Sequence, residues 1–297
     1  MRSFITGASG YIGGSVAERL RASGHEVAGL VRSGEKARLL KERGIIPMLG
    51  SLDDASVLTD GARQADAVVH AADADHSAAV ETLVSALARS GKLLIHTTGS
   101  SIVADEADGE YAKPIVFTED TFFEPVANRR PRLAVCRYVR HAGIDKGIRT
   151  VVICPAMIYG PGRGLQPDSD QLPKLTALAK QVGAGVYWGK GLNRYSIVHI
   201  DDLVDLYMLA VESAPGASFF FAENGDASFK EIAEWISRSL GFQGKTQSLS
   251  VADVIRQYGE AARYGVASNS RVSAVNARRL GWSPQGPSLA DVLEGHP

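Results

Sequence analysis

The chain has 297 residues, 45% of them hydrophobic and 22% charged, and its formal net charge at pH 7 is -1. This balance is typical of a globular protein and gives no electrostatic reason to expect nucleic acid or an anionic membrane as a partner. No apolar run approaches the roughly 18 residues that cross a bilayer, and the first residues enter a predicted strand at once, so we expect a cytoplasmic protein without a signal peptide.

The first fourteen residues carry the strongest motif. Phe4 and Ile5 form a short apolar run, glycines follow at positions 7, 10 and 13, and apolar residues then recur at helical spacing. A strand, a glycine turn and a helix in this order bind the diphosphate of a dinucleotide, because glycine permits the tight turn and the helix N-terminus directs N–H groups at the anion. The residues predicted to bind the cofactor here are Gly7, Ser9, Gly10, Tyr11, Ile12 and Gly13.

The end of the second predicted strand, residues 25–31, indicates which dinucleotide binds. An acidic side chain at this point accepts hydrogen bonds from the ribose of NAD, whereas an arginine binds the additional phosphate of NADP. The chain has Arg32 there, with Lys36 one helical turn further on. We therefore predict NADP(H), and NAD(H) is the alternative if Arg32 is only a solvated surface charge.

Three further strands are predicted at residues 45–49, 65–70 and 92–96. Leu52 and Asp53 follow the third strand and are predicted to border the adenine, although helix capping alone would also explain an aspartate there. The small residues Ala71 and Ala72 follow the fourth strand and would let a cofactor lie across the strand ends. Thr97 begins a Thr- and Ser-rich segment after the fifth strand and is a further predicted cofactor contact.

Four motifs together resemble the extended short-chain dehydrogenase/reductase superfamily, and most of all its NAD-dependent epimerase/dehydratase-like and atypical members. They are Thr6-Gly7-x-x-Gly10-x-x-Gly13, the segment 97–101, Cys154-Pro-Ala-Met-Ile-Tyr159-Gly-Pro-Gly162 and Val198-His-Ile-Asp-Asp202. The resemblance implies a Rossmann-like, doubly wound parallel α/β sheet with a smaller C-terminal α/β substrate lobe. It also implies cofactor contacts from Pro155, Met157 and Ile158, and makes a homodimer plausible.

The chain departs from that family at the catalytic dyad. Family members place Tyr-x-x-x-Lys on the helix before the sixth strand, where tyrosine exchanges the proton and lysine holds the nicotinamide ribose. Here Asn128 and Arg132 occupy the corresponding positions. Asparagine is not an acid, and arginine stays charged at physiological pH, so the usual proton transfer is in doubt.

Three residues are candidates to replace the missing acid. Tyr159 lies in a predicted loop at the carboxyl edge of the sheet, where it either transfers a proton or only packs. Thr98 and Ser100 follow the fifth strand and are predicted to orient a substrate carbonyl and to relay a proton through water.

A metal site is not expected. Asp201 is interpreted as the N-cap of a helix, and capping and the helix dipole explain its neighbour Asp202. His199, just before them, has a suitable intrinsic pKa for catalysis or substrate contact, although a structural role is the alternative. Cys136 and Cys154 have no partner at metal or redox spacing and are interpreted as buried thiols.

The sequence predicts two parts. Residues 1–160 form a dinucleotide-binding domain that residues 196–222 complete, and residues 161–195 and 223–297 form the substrate lobe. Helices are predicted near 228–240, 251–262 and 271–280. Asn193 and Arg194 lie in a segment that resembles one whose arginine contacts anionic substrates, and surface ion pairing is the alternative for Arg194.

The leading functional prediction is an NADP(H)-dependent oxidoreductase acting on a small carbonyl or imine. Two alternatives remain: a redox sensor that binds NADP(H) without turnover, and an epimerase or dehydratase of the sugar-nucleotide type that retains NAD. The intact glycine turn supports all three, whereas the altered dyad at Asn128 and Arg132 favours unusual chemistry or none.

Overall fold

The computed structural model describes residues 1–295, and its core is a parallel sheet of seven strands. The strands along the chain are Arg2–Thr6 (β1), Glu26–Val31 (β2), Ile46–Leu49 (β3), Ala67–His70 (β4), Leu93–Thr97 (β5), Arg149–Pro155 (β6), Met157–Tyr159 (β7), Gly185–Trp188 (β8), Arg194–His199 (β9), Ser218–Ala222 (β10), Asp226–Ser228 (β11) and Thr246–Leu249 (β12). In the large sheet their order is β10-β6-β5-β4-β1-β2-β3, and each neighbouring pair is parallel. The predicted doubly wound, Rossmann-like fold is therefore confirmed.

Helices connect the strands and cover both faces of the sheet. They are Tyr11–Ala22 (α1), Gly34–Glu42 (α2), Ala55–Gln64 (α3), Ser77–Leu87 (α4), Arg130–Asp145 (α5), Gln171–Val182 (α6), Ile200–Ser213 (α7), Phe229–Ser239 (α8), Val251–Tyr258 (α9), Glu260–Val266 (α10), Val275–Arg279 (α11) and Leu289–Glu294 (α12), with short 3-10 helices at Ser100–Val103 and Ala127–Arg129. Apolar residues from α1 and α7 pack on one face, and those from α3, α4 and α5 pack on the other. A sheet buried on both faces explains why its strands are almost continuously hydrophobic.

A third apolar cluster lies beyond the carboxyl ends of β5 and β6. It joins α6, α8, β8 and β9, with Leu175, Trp188, Tyr195 and Phe229 among its members. Two small sheets belong to this region, one in the order β11-β9-β7 and one of β12 and β8. The region faces the edge of the large sheet at which parallel-sheet proteins bind ligands.

The predicted elements differ from the observed ones at a few points. Residues 194–199 pair in the three-stranded sheet, although most of them were assigned to the dinucleotide-binding part. The helix predicted at 251–262 is divided into α9 and α10 at Gly259, whose φ of +82° interrupts a helix. Helix α12 was not predicted, and residues 296–297 of the predicted lobe lie outside the described residues. The division of the chain into two parts stays a prediction.

Candidate functional site

The glycine turn packs so closely that side chains would not fit at two of its positions. Gly7 has φ of +77°, and a Cβ added there would lie 2.6 Å from the carbonyl oxygen of Ala71. A Cβ at Gly13 would lie 2.4 Å from the carbonyl oxygen of Gly7. The glycine turn is therefore in close backbone contact with the residues after β4, and Ala71 and Ala72 lie beside it.

The N-terminus of α1 is suited to bind a diphosphate. Gly10 is its N-cap residue and provides no side-chain cap, so the amides of the first turn are not satisfied by a cap. A Cβ at Gly10 would meet only the carbonyl oxygen of Gly7, at 3.2 Å, and its φ of -90° is open to any residue. Glycine at this position thus leaves room outside the turn, where a ligand approaches.

The remaining residues of the turn anchor it to the rest of the protein. The Tyr11 hydroxyl donates a hydrogen bond of 2.7 Å to the carbonyl oxygen of Gly160, and burial raises the pKa of this phenol. Ser9 is half-buried, and Ile12 packs against the core beside α1. These contacts leave the backbone of the turn as the group that can bind a dinucleotide.

Arg32 and Lys36 lie at the carboxyl end of β2, next to the glycine turn. Arg32 directly follows the strand, and both side chains are exposed. Ser33 caps α2 by accepting a hydrogen bond of 3.3 Å from the Lys36 amide, which fixes the backbone between the two cations. Two cations at this point are compatible with the 2′-phosphate of NADP.

Leu52 and Asp53 lie beyond the end of β3, where the adenine was expected. Leu52 is half-buried, whereas the Asp53 side chain is 86% exposed and accepts a hydrogen bond of 3.1 Å from His76. His76 also caps α4 by accepting from the Ala79 amide. The segments after β3 and β4 are therefore connected at the carboxyl ends of the strands.

A cavity of about 490 Å³ opens at the carboxyl ends of β5 and β6. Gly99, Ser100 and Ser101 form one wall, and Pro155, Ala156 and Met157 form the adjoining wall. The opposite side is mainly apolar or aromatic and comes from Leu175, Leu178, Trp188, Tyr195, Val254 and Val266. Ile158 packs into the core instead. A small substrate with an apolar body fits this cavity.

The hydroxyl expected to contact the cofactor, that of Thr97, and those expected to contact substrate, of Thr98 and Ser100, differ in their accessibility. Thr97 is hydrogen-bonded at 2.5 Å to the hydroxyl of Tyr207 in the core, so its side chain does not reach a ligand. Thr98 is buried beside the thiol of Cys136 and does not line the cavity. Ser100 lines it but is only 2% exposed, and its hydroxyl accepts a hydrogen bond of 2.9 Å from Ser270.

Arg132, in α5, binds two side chains. Its Nε donates to Asp75 at 2.8 Å, and its Nη2 donates to the other oxygen of the same carboxylate. Its Nη1 donates at 3.2 Å to the hydroxyl of Ser101 on the cavity wall. The ion pair lowers the pKa of Asp75 and raises that of Arg132. The guanidinium therefore holds a hydroxyl at the cavity with its oxygen polarised by a positive charge.

Tyr159 does not face the cavity, and the expectation that it donates a proton is revised. It belongs to β7, its side chain is fully buried, and its hydroxyl donates at 2.9 Å to the carbonyl oxygen of Pro287. Burial also raises the pKa of this phenol, which makes it a weaker acid. Tyr159 therefore packs, as the alternative interpretation held.

Two of the three predicted substrate residues, Asn193 and Arg194, are bound by other parts of the protein. Asn193 is fully buried and donates to the carbonyl oxygens of Val266 and Ser268, at 3.1 and 2.8 Å. Arg194 forms ion pairs with Asp226 at 2.5 Å and Glu231 at 3.2 Å. These bonds connect β9 to neighbouring segments, so ion pairing rather than substrate contact describes Arg194.

His199 caps α7, and this corrects the assignment of Asp201 as the N-cap. The His199 ring accepts a hydrogen bond of 3.2 Å from the Asp201 amide. The Asp201 carboxylate instead binds Arg163, and the Asp202 carboxylate accepts from the amides of Gln285 and Gly286. His199 thus has the structural role that was the alternative to substrate contact.

Two buried histidines lie at the carboxyl edge of the large sheet. His70 and His96 end β4 and β5, and their rings stack with centroids 5.5 Å apart. His70 is hydrogen-bonded at 2.8 Å to Thr6, just before the glycine turn. Burial lowers the pKa of His70 to about 4 and that of His96 to about 3, so both are neutral at physiological pH.

Sequence reasoning missed Ser101 and Arg129, which both line the cavity. Ser101 was part of the Thr- and Ser-rich segment, and its position one residue beyond Ser100 was the available signal. Arg129 directly follows Asn128, and only the packing of α10 against this region, with Tyr264 beside Arg129, makes it a cavity residue. Among residues 1–295, no group of three or more His, Cys, Asp or Glu side chains is arranged to hold a metal ion.

The part of the chain that the structure describes contains no helix both long enough and apolar enough to cross a membrane.

Comparison with known sequences connects this geometry to a family. Residues 3–219 match the model of the NAD dependent epimerase/dehydratase family. The chain is 32% identical to oxidase ucsJ of Acremonium sp, over 98% of this chain and 95% of that one. It is 29% identical to the 4-hydroxy-2-methyl-3-oxo-4-farnesyl-3,4-dihydroquinoline-1-oxide ketoreductase of Stigmatella aurantiaca, over 82% of this chain and 74% of that one.

A solved structure supports the same fold. The dTDP-glucose 4,6-dehydratase of Bacillus anthracis, determined in complex with NAD, superposes with a TM-score of 0.79. The match covers all of this chain and 95% of the dehydratase at 15% sequence identity. At that identity the likeness concerns the fold alone.

Proposed function

The chain belongs to the NAD-dependent epimerase/dehydratase family, and from that premise we propose that it is an NADP(H)-dependent reductase of a small carbonyl or imine. The observation that carries this proposal is the position of the mainly apolar cavity, whose walls include the ends of β5 and β6 in the same sheet as the glycine turn. A hydride donor that extends from the turn along the carboxyl edge of the sheet would approach this cavity. When bound, NADPH would supply the hydride for the carbonyl or imine carbon.

Residues of the chain itself account for cofactor binding. The amides at the N-terminus of α1 are available to the diphosphate, and Gly7 and Gly13 allow the turn to pack tightly. Arg32 and Lys36 carry the positive charge that a 2′-phosphate requires, which favours NADP(H) over NAD(H). These residues fit the dinucleotide.

The proton must reach the substrate without the family tyrosine. Ser101 lines the cavity, and its hydroxyl accepts a hydrogen bond from Arg132, so its own proton can be directed at a substrate oxygen or nitrogen. The positive charge of Arg132 favours negative charge on that hydroxyl. Ser100 shares the wall, and water at the cavity mouth can restore the proton.

Turnover is the experiment that tests this proposal. The protein is incubated with NADPH and a panel of aromatic and aliphatic ketones, aldehydes and cyclic imines, and NADPH oxidation is followed by absorbance and product analysis. The proposal predicts at least one substrate whose reduction is stoichiometric with NADPH oxidation. Tight NADPH binding without oxidation by any member would indicate the sensor instead, and purification with bound NAD together with epimerised sugar nucleotide would indicate the epimerase.

A further inference from the structure

Helix α9 forms part of the cavity wall and reaches solvent on its other side. Val254, on the inner side of the helix, lines the cavity and is only 4% exposed. Asp253 and Arg256, on the outer side, are exposed to water. Since one helix carries both surfaces, the thickness of a single helix separates this part of the cavity from solvent.

Apolar packing holds the inner side of α9 in place. Val251, Val254 and Ile255 recur at helical spacing and pack in the third apolar cluster. On the outer side, Asp253 and Arg256 form an ion pair with each other, within the helix. The side chains of α9 that the structure describes form no hydrogen bond or ion pair with another element. Because apolar contacts have no preferred direction, they fix the position of a helix less strictly than hydrogen bonds do.

Helix α10, which follows α9 directly and also lines the cavity, is bound to two other parts of the protein. The Arg263 guanidinium donates to both carboxylate oxygens of Asp108, at 2.6 and 2.7 Å. The carbonyl oxygen of Gly265 accepts a hydrogen bond of 2.7 Å from the Gln171 side chain at the start of α6. These directional bonds give α10 a fixed position, which α9 does not share.

A glycine joins the two helices and is suited to act as a hinge. Gly259 has φ of +82° and ψ of 164°, a backbone conformation that is essentially restricted to glycine. A Cβ added there would have no neighbour within 4 Å, so the junction is surrounded by open space. At the other end, the Ser250 side chain caps α9 directly after β12 by accepting from the Ala252 amide. Helix α9 thus lies between two short junctions and can turn as a unit.

We propose that α9 is a lid of the substrate cavity, which turns about Gly259 to admit a ligand and closes with Val254 against the apolar body of that ligand. The structure has the lid closed, since Val254 is buried in the apolar cluster. Opening separates only the apolar contacts of α9, while α10 keeps its bonds to Asp108 and Gln171. Closure excludes water from the cavity, which favours hydride transfer. The lid goes beyond the proposed function, because it would serve any apolar ligand of this cavity.

Amide hydrogen exchange of the unliganded protein tests the lid. The exchange rates of the hydrogen-bonded amides in α9 and α10 are measured by mass spectrometry with residue-level fragmentation. Those of α9 should exchange about tenfold or more faster than those of α10, because α9 opens locally while α10 stays bound. Equal protection of the two helices would overturn the inference.

A bound ligand supplies a second readout on the same protein. The probe is 2-acetylnaphthalene, a neutral apolar ketone, added to saturation with NADP⁺ so that no reduction occurs, and its Kd is measured by calorimetry. Exchange in α9 should slow by about tenfold or more, since Val254 then packs against the ketone, and exchange in α10 should change less than about twofold. Unchanged exchange in α9 with the ketone bound would overturn the inference. If the ketone does not bind, the unliganded comparison decides the matter alone.

Gly259→Ala tests the hinge. Alanine disfavours the backbone conformation that Gly259 has in the closed lid, so exchange in α9 should rise by about fivefold or more while exchange in α10 stays the same. Gly241→Ala is the matched control, because Gly241 follows α8, has φ of +79° and likewise has no neighbour within 4 Å of an added Cβ. It should leave both helices unaltered. Unchanged exchange in α9 of a folded Gly259→Ala variant, or an equal rise in α10, would contradict the hinge.

The result also separates the lid from the proposed function. Reduction of a ketone by NADPH, with α9 as strongly protected as α10, would remove the lid and leave the reductase. Rapid exchange in α9 that slows when the ketone binds, without NADPH oxidation by any substrate, would remove the reductase and leave the lid.

Discussion

Arg132 binds both carboxylate oxygens of Asp75, which joins α5 to the segment after β4. The Nε contact is 2.8 Å, and Nη1 of the same guanidinium reaches Ser101 at 3.2 Å. Arg132 thus connects the segment after β4, through Asp75, to the Ser101 hydroxyl on the wall of the cavity. This relationship gives Arg132 a physical role at the cavity.

Arg132→Met should lower kcat for the reductase by roughly tenfold to a hundredfold, because it removes charge-assisted hydrogen bonds from Asp75 and Ser101. Asp75→Asn should lower kcat less, and the double variant should lose less than the sum of the two. Steady-state kinetics on the four proteins measures this coupling. Arg137→Met, at an exposed position of the same helix, is the control; strictly additive effects would contradict the account.

Arg32→Asp should reverse the cofactor preference. The substitution removes the proposed partner of the 2′-phosphate and provides an acceptor for a ribose hydroxyl, so NADPH affinity should fall by roughly tenfold to a hundredfold while NADH affinity rises. Fluorescence titration with each cofactor measures both constants. Arg38→Asp makes the same charge change on the exposed face of α2 and should leave the preference unaltered. Similar losses of NADPH affinity in both variants would show that the substitutions act only through the overall electrostatic field of the protein.

Acid should destabilise the protein through His70 and His96. Their folded pKa values of about 4 and about 3 lie below the unfolded value of about 6.5, so the unfolded state binds more protons between these limits. Protonation of these histidines costs no stability above pH 6.5. As the pH falls toward 4, the free energy of unfolding decreases by about 1.4 kcal/mol per pH unit for each histidine.

Denaturant unfolding at a series of pH values checks this slope. Between pH 4.5 and 6, the slope of the free energy of unfolding against pH should be smaller in His96→Leu, because the unfolded variant takes up about one proton fewer. His141→Gln, at an exposed site, should leave it unchanged. An unaltered slope in His96→Leu would contradict the assignment of a buried neutral imidazole.

Tyr159→Phe should affect stability and not turnover. The variant leaves the Pro287 carbonyl oxygen without the donor it has now, which should lower the free energy of unfolding by about 1 kcal/mol. Its kcat should stay within about twofold of the unmodified value, since the hydroxyl does not reach the cavity. Tyr111→Phe, at an exposed ring, should change neither quantity. A loss of kcat with unchanged stability would restore Tyr159 as a proton donor.

The sequence predicted the features that depend on local backbone requirements. Gly7 and Gly13 are required because a side chain would not fit at either position, and their spacing in the sequence predicted this requirement. The continuous apolar runs indicated buried parallel strands. The family resemblance supplied the arrangement of the sheet.

The substrate residues depend on contacts between distant segments. Tyr159 was expected in a loop, but β7 pairs with β9 some forty residues later, and its hydroxyl reaches Pro287. The partners of Asn193 lie near residues 266–268, and those of Arg194 lie at 226 and 231. No local pattern indicates such pairings, and Arg129 could be recognised as a cavity residue only when the cavity was formed.

The binding of NADPH to Gly10→Ala tests the central claim most directly. The extended backbone of Gly10 accepts alanine, and the added methyl group would meet only the Gly7 carbonyl oxygen at 3.2 Å inside the protein while occupying the approach of the diphosphate. Gly34→Ala is the matched control at the start of α2, where an added Cβ has no neighbour within 4 Å. By titration calorimetry, the account predicts micromolar or tighter NADPH binding to the unmodified protein and Gly34→Ala, and about tenfold or weaker binding to a folded Gly10→Ala. Equal NADPH affinity in all three proteins, or no affinity in any of them, would contradict it.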